Sequence, residues 1–159
     1  MIGTGDKIPD VKLFKATPDG PNDVSIGDYL SGKKTVLFAV PGAFTPTCSA
    51  RHLPGFVEKA NDLAGKGVDQ IACLSVNDPF VMKAWAESTG AMGKIDMLCD
   101  GNAALTEQLG LEMDGSGFGL GKRSQRYAMI VDDGKVTELF VEEPGAFEVS
   151  SAEHVLSKL

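Results

Sequence analysis

The sequence predicts an α/β fold built on a mixed sheet, and three observations carry that prediction. The runs Thr35 to Val40 and Val68 to Val76 are short, continuous and rich in β-formers, the pattern of strands buried on both faces. Between them, Leu53, Phe56, Val57, Ala60, Leu63 and Ala64 recur at helical spacing, so the unit is a βαβ crossover with parallel strands. Further on, Arg126 to Val131 and Val136 to Val141 flank Asp132-Asp133-Gly134-Lys135, which reads as an antiparallel hairpin.

Taken in order, Val11 to Phe14 and Val24 to Ile26 read as short strands around the turn Pro18-Asp19-Gly20-Pro21-Asn22, an N-terminal β extension. The strand at 35 to 40 ends at Pro41 and Gly42, and a helix is expected from about Thr47 to Ala64, stopped by Gly65 and Gly67. Pro54 removes a backbone donor inside that helix and is expected to kink it. After the strand at 68 to 76, Asn77-Asp78-Pro79 caps a helix whose apolar stripe is Phe80, Val81, Ala84 and Trp85, ending near Gly90. Phe44, Phe80 and Trp85 are candidates for core or for interface. Ile95 to Cys99 is a short strand, and Asn102 to Leu109 a short helix closed by Gly110. Gly115 to Gly121 alternates glycine with other residues and must be loop. It is not a Walker A element, which would need glycine at 116 and Ser or Thr at 123, where the chain has Ser116 and Arg123. Ser151 to Leu159, with Ala152, Val155, Leu156 and Leu159 in register, closes the chain as a helix. The order β-β-β-α-β-α-β-α-β-β-α implies a central sheet with helices on both faces.

At 159 residues the chain fits one domain, 1–159, with a core large enough to need neither disulfide nor metal staple. A formal net charge of −7 with no long basic run disfavours nucleic-acid binding. The one basic cluster of note is Lys122-Arg123 with Arg126. No apolar run reaches the length of a membrane span, and the first residues lack the blocks of a signal peptide. Three scattered cysteines do not make a secreted disulfide framework and point to a reducing compartment. A cytoplasmic location is therefore expected, or an organelle form whose targeting segment has been removed.

The segment Pro41-Gly42-Ala43-Phe44-Thr45-Pro46-Thr47-Cys48 carries the chemistry. It places Cys48 at the carboxyl end of a central strand and in the first turn of a helix, where open α/β sheets bind ligands. Unpaired N–H groups and the helix dipole there favour a thiolate, and a nearby arginine, best supplied by Arg126, would favour it further. Acidity alone is a small effect. Lowering a thiol pKa from ~8.5 to ~6 raises the thiolate fraction at pH 7 roughly thirtyfold. With a Brønsted slope of ~0.45 the same shift cuts nucleophilicity about thirteenfold, leaving a gain of only about two- to threefold. A large rate enhancement needs donors that hold a substrate and stabilise charge in the transition state. The Thr45 hydroxyl, the backbone N–H groups of Thr47 and Cys48, and the Arg126 guanidinium are groups of that kind, with Pro41 as a shield against water. Cys73 and Cys99 lie inside strand patterns and read as buried small hydrophobes.

Pro41-Gly42-Ala43-Phe44-Thr45-Pro46-Thr47-Cys48-Ser49 resembles the peroxidatic motif Pro-x-x-x-Thr-x-x-Cys of peroxiredoxins, in the wording of the type II, or peroxiredoxin-five-like, subfamily. The resemblance extends through Ile71 to Met82 and Gly119 to Ala128, so it spans nearly the whole chain. It implies a thioredoxin fold, with Thr45-Pro46-Thr47-Cys48 in the place of a Cys-x-x-Cys. It also implies a thiol peroxidase in which Cys48 attacks hydrogen peroxide or an alkyl hydroperoxide and becomes a sulfenic acid. No bound cofactor is implied, only an external reductant, glutathione with glutaredoxin or thioredoxin, and a homodimer paired through loops around the active site. Ser150 stands where one branch of the subfamily has its second cysteine, while Cys73 matches the second cysteine of the plant-like branch and is the resolving candidate. Its place in a buried strand favours direct reduction of Cys48 instead.

Three rival readings remain open at this point. His52, four residues after Cys48, invites a cysteine-hydrolase dyad, although a hydrogen-bonding role beside the pocket suits it better. A metal site from Cys48, His52, Cys73 and Cys99 lacks the short ligand pairs of a zinc motif, so no metal is expected. A redox-sensing or holdase module on the same fold would bind without turnover.

Overall fold

The computed structural model describes residues 1–159. Its main sheet has seven strands: β1 (Lys12–Thr17), β2 (Gly20–Ser25), β3 (Lys34–Val40), β4 (Gln70–Ser75), β5 (Asp96–Cys99), β8 (Tyr127–Asp132) and β9 (Lys135–Val141). Their spatial order is β2-β1-β5-β4-β3-β8-β9. The expected crossover is present, with β3, β4 and β5 parallel. On one flank β1 runs antiparallel to β5, and on the other β8 runs antiparallel to β3. The sheet is therefore mixed, and the N-terminal hairpin extends it.

Strand alternation divides the core in two. Val36, Phe38 and Val40 of β3, Ile71 and Cys73 of β4, and Ala128 and Ile130 of β8 face one layer. There they meet the helices α2 (Leu53–Gly65), α3 (Pro79–Thr89) and α5 (Ala152–Ser157) through Leu53, Phe56, Leu63, Met82, Trp85 and Val155. Leu37, Ala39, Ala72, Leu74, Met129 and Val131 face the other layer, covered by α1 (Ile26–Leu30) and α4 (Ala104–Leu109). Every one of these strand residues is at least nine-tenths buried, as expected for strands apolar on both faces. Cys48 belongs to the first layer.

Most elements lie where the sequence places them, and three differences have physical causes. Ile26 begins a helix instead of ending a strand, because Ser25 caps it: the Ser25 hydroxyl accepts from the Asp28 N–H and donates to the Asp10 carboxylate. Glu112–Asp114 (β6) and Lys122–Ser124 (β7) form a two-stranded ribbon that brackets the glycine-rich loop, each strand too short to show a period. The third difference is in the helix that carries Cys48. Trp85 is fully buried, whereas Phe44 and Phe80 are 55% and 71% exposed, so only the tryptophan is core.

Candidate active site

The chain leaves β3 at Val40 and turns through Pro41 to Thr45 before a helix starts at Pro46. Phe44 adopts a left-handed φ of 62°, unusual for a side chain with a Cβ. The preceding residue is pinned, since the Ala43 N–H donates to Asn77 Oδ1 at 2.9 Å, and Asn77 is held by the Ser75 hydroxyl at the end of β4. The guanidinium of Arg123 lies over Gly42: a Cβ there would be 2.6 Å from Arg123 Nη1 and would displace it. That guanidinium donates to Pro41 O at 3.3 Å and through Nε to Leu120 O at 2.9 Å, tying the turn to the far loop.

From Cys48 to His52 the helix is a π-helix, not the regular first turn expected from the sequence. The Leu53 N–H donates to Cys48 O, five residues back, and Pro54 has no N–H with which to continue an α pattern. The proline thus marks a widened turn where a kink was expected. Ser49 N–H reaches back to Thr45 O at 2.9 Å, but the Thr47 and Cys48 N–H groups have no acceptor within the chain. Beside Ser49, the Trp85 indole N–H donates to the Ser49 hydroxyl at 2.9 Å and fixes the turn against α3.

Cys48 is completely buried, and two donors converge on its sulfur. Thr45 Oγ1 lies 2.8 Å from Sγ and also 2.7 Å from Gly42 O, so its single hydroxyl hydrogen has two acceptors in reach. Arg126 comes from just before β8, and its Nη2 donates to Sγ at 3.0 Å. The other terminal nitrogen, Nη1, donates to His52 Nδ1 at 2.7 Å. Because arginine carries donors only, Nδ1 must present a lone pair, which places the imidazole proton on Nε2. Nε2–H then donates to Ser150 O at 2.9 Å. Burial, and after it the Arg126 charge, push the His52 pKa down to about 3 against the opposing pull of Ser150 O and Glu142. His52 is therefore neutral. Both of its nitrogens are engaged away from Cys48, which removes the hydrolase dyad. A cavity of about 350 Å³ opens beside this cluster, lined among others by Pro41, Thr47, Met113, Arg126 and Glu143.

Comparison with known proteins places this geometry in a family. A protein-family profile, Redoxin, matches residues 3–156. Peroxiredoxin-2B of Arabidopsis thaliana is 49% identical, over 99% of this chain and 98% of its own. Peroxiredoxin-2E-2, chloroplastic, of Oryza sativa subsp. japonica is 57% identical, over 99% of this chain and 72% of its own. The crystal structure of reduced Prx3 in complex with hydrogen peroxide from Vibrio vulnificus superposes with a TM-score of 0.95 at 55% identity, covering 99% of each chain. The chain belongs to the peroxiredoxin family. Its relatives agree with the type II assignment, and the fold is thioredoxin-like as expected. As a peroxiredoxin it is a thiol-dependent peroxidase with an antioxidant function, and it needs a thiol reductant but no prosthetic group.

Of the residues expected at the peroxiredoxin site, Thr45, Cys48, His52 and Arg126 form one hydrogen-bonded cluster, and Pro41 and Thr47 line the adjoining cavity. Cys73 lies apart in the middle of the sheet, fully buried in the same layer as Cys48. Sequence reasoning passed over four residues that shape the site: Asn77, Arg123, Glu142 and Ser150 as a hydrogen-bonding residue. Arg123 was visible as part of a basic cluster, and Asn77 as part of a helix cap. Glu142 had no signal, because one of two adjacent glutamates after a strand resembles any solvated loop residue.

The neutral His52 makes stability pH-dependent. In the unfolded chain a histidine takes up its proton near pH 6.5, whereas in the folded state His52 resists until about pH 3. The stabilisation is complete above 6.5 and is lost as pH falls toward 3. Between pH 7 and 5 the loss is about 2 kcal/mol. Urea midpoints at those two pH values should show a drop in the native protein and a smaller one in His52→Asn.

Proposed function

We propose that Cys48 is the peroxidatic nucleophile, that Thr45 and Arg126 bind and polarise the peroxide, and that Pro41 shields the sulfur. The observation that carries this reading is the convergence of Thr45 Oγ1 and Arg126 Nη2 on Cys48 Sγ, at 2.8 and 3.0 Å. The Cys48 sulfur attacks one peroxide oxygen; an S–O bond forms as the O–O bond breaks, and sulfur is oxidised by two electrons while the peroxide is reduced. Water or an alcohol leaves with the proton. The guanidinium and the free Thr47 and Cys48 N–H groups supply fixed positive dipoles where the departing oxygen gains charge. Hydrogen peroxide and alkyl hydroperoxides are the substrates. The hydrogen peroxide complex of the Vibrio relative supports the first, and the cavity beside Arg126 has room for the second.

Reduction proceeds directly: glutathione with glutaredoxin, or thioredoxin, attacks the sulfenic acid, releases water, and leaves a mixed disulfide that a second thiol resolves. Two properties of Cys73 support this over an internal disulfide. Its backbone is paired on both sides, to β3 and β5, and its side chain is fully buried. Burial, followed by the influence of Cys48 and Cys99, pushes its thiol well above the usual cysteine range, so little thiolate is present to attack. A Cys73→Ser variant is expected to retain peroxide turnover with both reductant systems. If it reacted once with peroxide and then turned over with no thiol reductant, Cys73 would be the resolving cysteine. The protein acts as a cytoplasmic homodimer, with the exposed Phe44 and Phe80 as the apolar contact surface beside the site.

A further inference from the structure

Glu142 follows β9 and is 7% exposed, a carboxylate withdrawn from water without a cationic partner. Four donors satisfy it. The N–H groups of Glu148, Val149 and Ser150 reach its oxygens at 2.8 to 3.0 Å, and the Ser150 hydroxyl donates to Oε2 at 2.7 Å. Burial alone would raise its pKa, but these bonds outweigh burial and hold it below the usual value, so the group is ionised at neutral pH. The carboxylate therefore closes the loop 142 to 150 and fixes the Ser150 peptide.

That peptide has a second connection. Its carbonyl accepts from His52 Nε2, His52 Nδ1 accepts from Arg126 Nη1, and Arg126 Nη2 donates to Cys48 Sγ. Meanwhile the Glu142 N–H donates to Arg126 O at 3.0 Å. The bonds form a closed circuit: Glu142 holds the main chain of Arg126 directly and the guanidinium through Ser150 and His52. Each link has one compatible polarity. If Ser150 O moves, Nε2–H loses its acceptor, the imidazole is free to carry its proton on Nδ1 instead, and an N–H would then face the guanidinium donor.

We propose that Glu142 is a positioning residue for the peroxidase reaction, acting through Ser150 O and the His52 tautomer to aim the Arg126 guanidinium at Cys48. This rests on the reading that Arg126 serves the Cys48 reaction. All four donors converge on Oε2, so Glu142→Gln keeps the circuit by leaving its amide oxygen there, whereas Glu142→Leu removes the acceptor at similar side-chain size.

The test begins with the unaltered protein. Nitrogen-15 NMR at pH 7 should show His52 as the neutral Nε2–H tautomer, and an Nδ1–H tautomer or an imidazolium would overturn the proposal. Stopped-flow reaction with hydrogen peroxide then compares Glu142→Leu, His52→Asn and the double variant, with Glu142→Gln as a control expected near the native rate. Glu142→Leu should lower the second-order rate constant about tenfold. The double variant should be no slower than His52→Asn, because the carboxylate acts through that ring. A native rate in Glu142→Leu, or losses that multiply in the double variant, would overturn it. Failure of the Arg126 reading is separately visible, as an undiminished rate on replacing Arg126 itself.

Discussion

Cys48→Ser is expected to consume peroxide no faster than the uncatalysed background in an assay coupled to a thiol reductant. A serine hydroxyl is not appreciably ionised near neutrality, and the alcohol is a poor nucleophile toward an O–O bond. The fold should tolerate the change. Serine is slightly smaller than cysteine, and the buried hydroxyl would find partners already aimed at its position, Thr45 Oγ1 and Arg126 Nη2. Loss of activity with an unchanged denaturation midpoint would therefore report chemistry alone. Mass spectrometry after one equivalent of peroxide adds a second readout: the native chain gains one oxygen at Cys48 and the variant does not. Undiminished peroxide consumption in the variant would remove Cys48 from the mechanism.

Arg126→Lys is the second large effect, and it differs from the first in acting on rate and stability together. The guanidinium makes two bonds in different directions, to Cys48 Sγ and to His52 Nδ1. An ammonium is a point donor on a flexible stem and does not reproduce that fork. Hydrogen bonds to charged groups are worth about 1.5–3 kcal/mol, so loss of the contact to sulfur and to the departing oxygen should lower the peroxide rate constant on the order of a hundredfold. Loss of the second bond leaves a fully buried imidazole nitrogen unpaired, a cost of about 1–3 kcal/mol in folding free energy. Stopped-flow rates and urea midpoints measured on one preparation separate the two. A variant within threefold of the native rate would show that charge, not the planar fork, is what the site uses.

The legible part of this protein is the part that repeats a period or obeys a local rule. Buried strands showed as apolar runs, Asp78 and Pro79 announced a helix, and the segment from Pro41 to Cys48 marked the proposed nucleophile beside its hydroxyl donor. Arg126 was named as the arginine that opens the hairpin strand, within the Gly119 to Ala128 stretch that resembles peroxiredoxins. The remainder depends on contacts between segments with no shared pattern. Glu142 meets Ser150 because of how one loop folds, and Arg123 lies over Gly42 because a short ribbon returns to the end of β3. The π-helix depends on a missing donor at Pro54 together with packing that holds both ends of the turn, and only the first of these is written locally.

That π-helix makes the segment between Cys48 and Leu53 the place in this helix where chain length is negotiable. Downstream, Leu53, Phe56 and Leu63 anchor α2 in the core; upstream, β3 is locked between two neighbours. In a regular α-helix a one-residue deletion turns everything on one side by about 100° and moves it by about 1.5 Å relative to the other. The π turn absorbs that offset: with one residue fewer at positions 49 to 51, the Leu53 N–H and Cys48 O would pair at the spacing of an ordinary α turn, both ends still in place. The turn thus carries one residue more than an α turn needs between two fixed ends, and a one-residue deletion there should disturb the fold less than one elsewhere in the helix.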